Sequence, residues 1–440
     1  MNEQAESIAS AEVTPDPNIP ANRKNRGLPD FSTVTMIRGM QGSHGVTGVW
    51  NGGWNEAELS RWAAALRAQL TDSGVTLGLV FLAPSLFPHA EEVLEVLRVH
   101  GRIPCLVGCS GVGLISGGDE FEEGADLVLG LHNLPGATLK GFHFDNETID
   151  ATDSAAAWIQ KTSLSPEQVN GWLIFASPFH LNGEAWLRQW NKAYPGIPSI
   201  GGLASGDFSA EQCQVYFNGG VHEQGLVAVA LCGEVTLETV VSQGCTPIGE
   251  SWTITRADRN FILGIGNRPA YSVLMETFEG LSHEERIKSQ NNLFVGLAID
   301  EYRDELHCGD FLVRNLLGGD PKNGALAVGA YPRTGQTLQF QRRDSETADA
   351  ELSALLAQAR TQLAGRPIYG GCLTVCNGRG SRLFGIPNHD AGLVQEQLGR
   401  TAITGFFGHG ELGPVAHQNF LHGYTASLGL FVPKSTPRPG

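Results

Sequence analysis

The side chains able to do chemistry in this chain fall in short glycine-rich stretches. Cys109 and Ser110 lie in IPCLVGCSGVG, Cys376 and Arg379 in CNGRG, His409 and Glu411 in GHGELGP, and Asp207 ends GGLASGD. A strand-end Cys109 or Ser110 is a nucleophile only if a base lies within hydrogen-bond reach, and the sequence identifies none. Cys376 has Arg379 three residues on, a cation that lowers a thiol pKa, although a buried strand-end cysteine fits the same pattern. Arg379, flanked by Gly378 and Gly380, offers a planar fork for a carboxylate or phosphate, or else pins its own loop. Glu411 suits an ammonium, so Arg379 and Glu411 can clamp opposite ends of a zwitterion; a salt bridge between them is the alternative. His409 and Glu411 have the H-x-E spacing of metal ligands, but two ligands define no metal site. Asp207 either faces a ligand or satisfies turn amides. His422, before a glycine, reads as a turn or core residue.

These residues need elements to position them. Leu79–Pro84 matches Leu173–Pro178 at an offset of 94 residues, and IPCLVGCSGVG matches IPSIGGLASGD from Ile197. The N-terminal half therefore reads as a duplicated strand, helix, strand and Gly-loop unit. At the same offset Leu203 stands opposite Cys109, so the scaffold does not require that thiol. Gly108, Gly111 and Gly113, with Gly201, Gly202 and Gly206, permit close backbone approach and loops whose N–H groups face a ligand. Buried strands joined through helices pair in parallel, which leaves each loop at the carboxyl edge of a sheet, where open α/β sheets bind ligands.

Elsewhere, Asn55 caps a helix lined by Leu59, Trp62, Ala63, Leu66 and Leu70, with Glu58 three residues after the cap. Beyond Trp252 come a strand and turn, a helix from about Pro269, and strands near 293–299, 309–317, 325–331 and 337–343. The GGDPKNG turn joins two of these strands, which reads as a meander. A helix over 348–363, a strand to Cys376, a helix capped by Asp390 and the strands 401–407 and 425–431 repeat the N-terminal order without repeating its sequence.

Composition bounds the rest. At 440 residues two domains are expected, and a net charge of −16 disfavours nucleic acid and anionic membranes as partners. No apolar run is long enough to span a membrane and the N-terminus lacks a signal peptide, so a cytoplasmic location is expected. The eight cysteines support neither a disulfide framework nor a zinc site. Glycine, at 56 residues, far exceeds the usual level of about 7% and points to backbone-lined loops.

IPCLVGCSGVG, GGLASGD, VSQGCTPIGESWTITRADRN and the pair CNGRG with GFFGHGELGP, in this order, resemble the FIST family, named for F-box and intracellular signal transduction proteins. The resemblance runs from about residue 35 to the C-terminus. It implies an α/β fold of two domains, mixed sheets flanked by helices: a FIST-N-like domain over 31–250 and a FIST-C-like domain over 251–440, after residues 1–30, whose Pro, Asn, Glu and Ala without periodicity read as a disordered tail. It also implies a stand-alone intracellular sensory protein that binds a small polar metabolite, such as an amino acid, and signals through a separate protein, since no output region is evident. No cofactor or metal is expected. The candidate ligand-binding residues are Gly108, Cys109, Ser110, Gly202, Asp207, Arg379, His409 and Glu411. The alternatives are a thiol-dependent enzyme using Cys109 or Cys376, and an interaction scaffold without a small ligand.

Overall fold

The computed structural model describes residues 35–39, 44–70, 74–207, 209–290, 292–303, 306 and 309–434; the tail expected over 1–30 lies outside them. Strand β1 (Thr35–Gly39) pairs with the outer edge of the first of three units built on one plan. Unit 1 comprises β2 (Gly45–Trp50), α1 (Glu56–Arg67), β3 (Leu77–Leu82), α2 (Ala90–Gly101) and β4 (Leu106–Ser110), then the hairpin β5 (Leu114–Ser116) and β6 (Asp119–Phe121), and finally β7 (Leu127–His132). Unit 2 runs through β8 (Ala137–Phe144), α3 (Asn146–Ala151), α4 (Ala155–Thr162), β9 (Gly171–Ala176), α5 (Gly183–Ala193) and β10 (Ser199–Leu203). Its hairpin is β11 (Val215–Phe217) with β12 (Gly220–His222), and β13 (Leu226–Gly233) closes it.

Unit 3 opens with β14 (Val235–Ser242) and is interrupted by an insertion. The insertion contains β15 (Cys245–Asp258), β16 (Phe261–Ile265), β17 (Arg268–Pro269), α6 (Ala270–Gly280), α7 (His283–Ser289), β18 (Leu293–Ala298), β19 (Phe311–Asp320), β20 (Ala325–Val328) and β21 (Thr337–Arg343). The unit resumes with α8 (Ser345–Leu363), β22 (Gly370–Cys376), α9 (Ser381–Phe384), α10 (His389–Leu398) and β23 (Ile403–Gly408). The hairpin β24 (Gly410–Val415) and β25 (Gln418–His422) and the strand β26 (Ala426–Pro433) complete it.

In each unit the two strands around the crossover helices pair in parallel: β3 with β4, β9 with β10, and β22 with β23. The return strand (β7, β13 or β26) lies antiparallel to the first of them and carries the opening strand (β2, β8 or β14) on its far side. The hairpins are exchanged in a ring. That of unit 1 pairs with β23 of unit 3, that of unit 3 with β10 of unit 2, and that of unit 2 with β4 of unit 1. The sheet orders are therefore β1-β2-β7-β3-β4-β11-β12, β8-β13-β9-β10-β24-β25 and β14-β26-β22-β23-β5-β6.

Exchange explains why one core joins all three sheets. Phe81, Phe175 and Phe406, one from each unit, pack with ring centroids 4.8 to 5.9 Å apart inside a cluster that also holds Val107, Leu173, Ile200, Cys372 and Phe431. Each unit adds a second core between its sheet and helices, led by Trp62 and Leu94 in unit 1, Trp172 and Trp190 in unit 2, and Leu356 and Leu393 in unit 3. The insertion folds around its own core of Ile254, Val295, Leu326 and Phe340. Its sheet contains the expected meander β18-β19-β20, turned between the last two at 321–324 within GGDPKNG.

The repeat reaches single residues. Gly108, Gly201 and Gly405 occupy one position: a Cβ there would lie 1.7, 2.0 or 1.8 Å from the carbonyl oxygen of the paired residue, Val80, Ile174 or Leu373. The same registers make Gly202, not Leu203, the counterpart of Cys109, because Phe81 pairs with Cys109 and Phe175 with Gly202. The 94-residue offset of the first strands thus becomes 93 in the second.

Asn55 caps α1 as expected, its Oδ1 accepting from the Glu58 amide at 3.1 Å. Asp390 does not cap α10. Asn388 precedes that helix, and Asp390 lies within its first turn, fully buried. Among the described residues no helix is long and apolar enough to cross a membrane.

Candidate functional site

The loops after the parallel strand pairs meet at one end of the molecule. The Ser205 amide donates to the Ser110 carbonyl at 3.0 Å, Ser205 Oγ accepts from the Val112 amide, and the Phe407 amide donates to the Gly113 carbonyl. Both duplicated glycine loops therefore do share an edge, and the loops of unit 3 join them.

Several expected ligand residues are structural there. The Cβ collision at Gly108 shows a glycine needed for strand packing. Cys109 is buried in the central core, and desolvation holds its thiol well above its ordinary pKa. Ser110 Oγ accepts from the Gln214 amide at 3.0 Å and so stitches β4 to the hairpin of unit 2. Asp207 is exposed, and its Oδ1 accepts from the amides of Ser209 and Ala210, the turn role of an Asp side chain.

Arg379 corrects the zwitterion clamp. Its Nε and Nη2 donate to Asp390 at 2.7 and 2.9 Å, both residues being fully buried, and Nη1 donates to the Tyr424 carbonyl at 3.3 Å. Neither the ligand fork nor a salt bridge to Glu411 is present. Asp390 is held far below the ordinary carboxylate range: its own burial works against this, but the charge and hydrogen bonds of Arg379 prevail. His389 extends the network with Nδ1 3.0 Å from Asp390 and Nε2 2.9 Å from Asp349.

What remains at the carboxyl end of β22 and β23 is a second, incompletely bonded cluster. Glu411 is fully buried on β24, beside Gly202 of β10, where a Cβ would lie 2.4 Å from the Gly410 carbonyl oxygen. Gly202 thus lets β10 approach the strand that carries Glu411. Glu411 Oε2 accepts from the Thr425 amide at 3.0 Å, and the Cys376 thiol lies against the same carboxyl. Asn377 Nδ2 lies 3.3 Å from His409 Nδ1; with the amide donating, the imidazole proton is on Nε2.

Arg343 comes from the last residue of β21, at the neck where the insertion rejoins α8. Its guanidinium lies 4.3 Å over the Tyr424 ring, which Phe294 of the insertion meets edge-on at 4.6 Å. A Cβ on Gly378 would come 3.2 Å from Arg343 Nη1, so the glycine makes room for this side chain. Four buried atoms here have no hydrogen-bond partner within the protein: Nε and Nη1 of Arg343, Oδ1 of Asn377 and Oε1 of Glu411. Native proteins leave few buried polar atoms unsatisfied, and a group of them on neighbouring residues needs a reason.

Burial sets the electrostatics. It pushes the Glu411 carboxyl up to about 8 and the Cys376 thiol up to about 12, and it lowers Arg343 and His409 from their ordinary values. A thiol so placed is not an activated nucleophile. Among the described residues, no three His, Cys, Asp or Glu side chains come together as a metal site.

The repeat supplies an internal comparison. The register that sets Glu411 against Gly202 sets Val215 against Cys109 and Leu114 against Phe406. Two buried apolar residues thus stand where unit 3 carries a carboxyl, so the scaffold does not demand one. An open cleft of about 1040 Å³ also lies between β14, α8 and the 414–417 turn, but Glu238 and Glu351 on its wall are already bonded, to Arg366 and to Ser242 and Gly244.

Sequence reasoning missed Arg343, Asn377 and Tyr424, and for Arg343 a signal was present. The signal was the doubled arginine of QRRD at a strand end, where one side chain must face away from its neighbour. Arg342 takes Asp344 at 3.3 Å, and Arg343 turns to Tyr424.

Fold and site define a mixed α/β protein of three hairpin-exchanging units, with an incompletely bonded polar cluster around the buried Glu411 where an inserted subdomain joins the third unit. Residues 76–268 match the FIST N domain and residues 270–414 the FIST C domain; the chain belongs to the FIST family. It is 34% identical over 370 residues to the uncharacterized protein Rv0628c of Mycobacterium tuberculosis (strain ATCC 25618 / H37Rv), covering 84% of this chain and 94% of that one. It is 33% identical over 384 residues to the uncharacterized protein Mb0898c of Mycobacterium bovis, with the same coverage. A shorter similarity, 30% over 131 residues, joins 26% of this chain to 25% of the F-box/LRR-repeat protein At5g63520 of Arabidopsis thaliana. FIST domains are associated with signal transduction. The junction of the two matches, near residue 269, falls inside the insertion and not between units.

Proposed function

We propose that this protein is a sensor that binds a small polar metabolite carrying a carboxylate, with amino acids among the candidates, at the Arg343, Asn377, Glu411 and Tyr424 cluster, and reports occupancy to a separate signalling protein. The observation that carries the reading is the set of buried polar atoms in this cluster without a protein partner, in the one unit whose carboxyl replaces an apolar residue. A ligand supplying the missing partners recovers the cost of burying them. The insertion is the natural transmitter, because Arg343 at its neck would touch the ligand directly. Cys376 serves as a wall of the site in this reading.

The test is a thermal-shift screen of amino acids and small carboxylic acids. A ligand at 100 times its Kd adds about 2.7 kcal/mol to the folded state. Replacing Arg343 by Lys keeps the charge and loses the planar fork, and should weaken binding by about 1–3 kcal/mol. Asp207→Asn should leave binding unchanged. A ligand whose stabilisation survives Arg343→Lys intact, or a screen in which nothing stabilises the chain, would remove this reading.

A further inference from the structure

The donor and acceptor inventory of the site narrows the chemistry of its ligand. Glu411 is a fully buried carboxyl to which no cation is bonded. The charged and titratable groups that face it are few. Arg343 from β21 and Arg379 beside α9 favour its ionisation, but Arg379 is committed to Asp390. Cys376 on β22 and Tyr424 before β26 are uncharged neighbours, with their thiol and phenol raised by burial. His422, opposite Glu411 on β25, binds the Gly413 carbonyl through Nε2 at 3.0 Å, and burial lowers it to about 4, so it too is neutral. Burial outweighs the hydrogen bonds from Thr425 and Cys376 and the two arginines, and it raises the carboxyl to about 8, on the protonated side of neutral pH. The Thr425 amide occupies Oε2, which puts that proton on Oε1, the oxygen without a partner.

The open valences are therefore mostly donors: Nε–H and Nη1–H of Arg343, and Oε1–H of Glu411. Resting on the sensor reading above, we infer that Glu411 acts as a neutral hydrogen-bond donor and, with Arg343, receives a small oxyanion, so that the site recognises the anionic group of its ligand and requires no ammonium. A carboxylic acid kept neutral in an apolar site is an established kind of oxyanion donor. An ammonium would instead demand an ionised Glu411, at the cost of creating a buried charge. The two arrangements respond to pH with opposite sign.

The experiment uses the full chain, with Kd values taken from Tm against concentration. L-Lactate and L-alanine, of similar shape but differing in the ammonium, are compared with inorganic phosphate at pH 6.5, and the lactate series is extended to pH 9.5. Lactate or phosphate should bind at least as tightly as alanine, and the better of the two identifies the oxyanion as carboxylate or phosphate. If lactate binds, its Kd should rise by about tenfold per pH unit once Glu411 ionises, because the bound state then has to recover a proton. Glu411→Gln, whose amide keeps a donor, should retain binding at pH 6.5 and abolish this slope, and Arg343→Gln should lose binding. Infrared difference spectra of wild type minus Glu411→Gln should show the carbonyl stretch of a protonated acid at pH 7, whatever the ligand.

Absence of that band would overturn the inference, as would lactate affinity that strengthens with pH. Alanine binding that excludes lactate and phosphate and is lost in Glu411→Gln would also overturn it, while leaving the sensor reading intact. Silence from all three probes would overturn it as well, and the sensor reading would then stand or fall on the wider metabolite screen.

Discussion

Arg379 and Arg343 are both arginines near the end of β22, yet one is structural and the other unsatisfied. The difference comes from where their partners lie in the chain. Asp390 is eleven residues beyond Arg379, but the Pro- and Gly-containing segment between them hides that it folds back across the strand end. A carboxylate in α10 looked like a cap because sequence alone does not separate a first-turn acid from an N-cap. Arg343 meets Tyr424 through the closure of the insertion; the doubled arginine of QRRD marks it locally, but its partner is distant in sequence. Asp207 was open between a ligand and its own turn in the sequence, and it takes the turn role, because the amides of Ser209 and Ala210 are local partners. The Arg379–Asp390 pair makes a prediction at this scale. Removing one member of a buried ion pair strands the other charge and costs about 3–5 kcal/mol. Arg379→Met should therefore lose that much in urea denaturation, and Arg379→Met with Asp390→Leu should recover most of it. Ligand binding should persist in the double variant if Arg343 supplies the fork. A double variant no more stable than the single one would contradict the pairing.

At the scale of elements, the first and second units were legible because a parallel pair with its crossover is local in sequence and retains IPC and IPS before each loop. Unit 3 was legible in its order of elements and not in its letters. The exchange of hairpins was invisible: β5 pairs with β23 and β24 with β10, partners that lie far apart in the chain, and no period in the sequence encodes such distant partners. Loops assumed to display N–H groups to a ligand instead bond to one another across units. Glycine at the shared strand position should then be a requirement of the repeat. Gly108→Ala, Gly201→Ala and Gly405→Ala each drive a Cβ into a neighbouring carbonyl, and each should destabilise by at least about 1–3 kcal/mol. Gly378→Ala meets only the tip of a side chain. It should leave the Tm close to wild type and perturb ligand binding by displacing Arg343. If Gly378→Ala unfolds the protein, or the three alanines are tolerated, the division between scaffold and site glycines is wrong.

The whole molecule carries opposed titrations, and their balance sets its stability against pH. Burial lowers His132 and His422 to about 4, so between about 4 and 6.5 the unfolded chain binds more protons and stability rises with pH. Each contributes on the order of 3 kcal/mol, fully present above 6.5 and lost as pH falls through 4. Glu120 and Glu411 act in the other direction. Burial raises them to about 7 and about 8, so the folded chain binds more protons above 4.5, and stability falls as pH rises to 8. Below pH 4 the depressed Asp390 adds a further loss as it is protonated. From 4.5 to 6.5 the histidine and glutamate slopes largely cancel; above 6.5 only the glutamates still titrate. Urea midpoints should therefore form a plateau on the acid side of neutrality and decline between pH 6.5 and 8. Glu120→Gln and Glu411→Gln should each reduce that decline, and His132→Phe should shallow the acid limb. A wild-type protein whose midpoint climbs from pH 6.5 to 8, or a Glu411→Gln variant with an unaltered alkaline limb, would show that Glu411 is ionised in the folded state, and the electrostatic account of the site would fail with it.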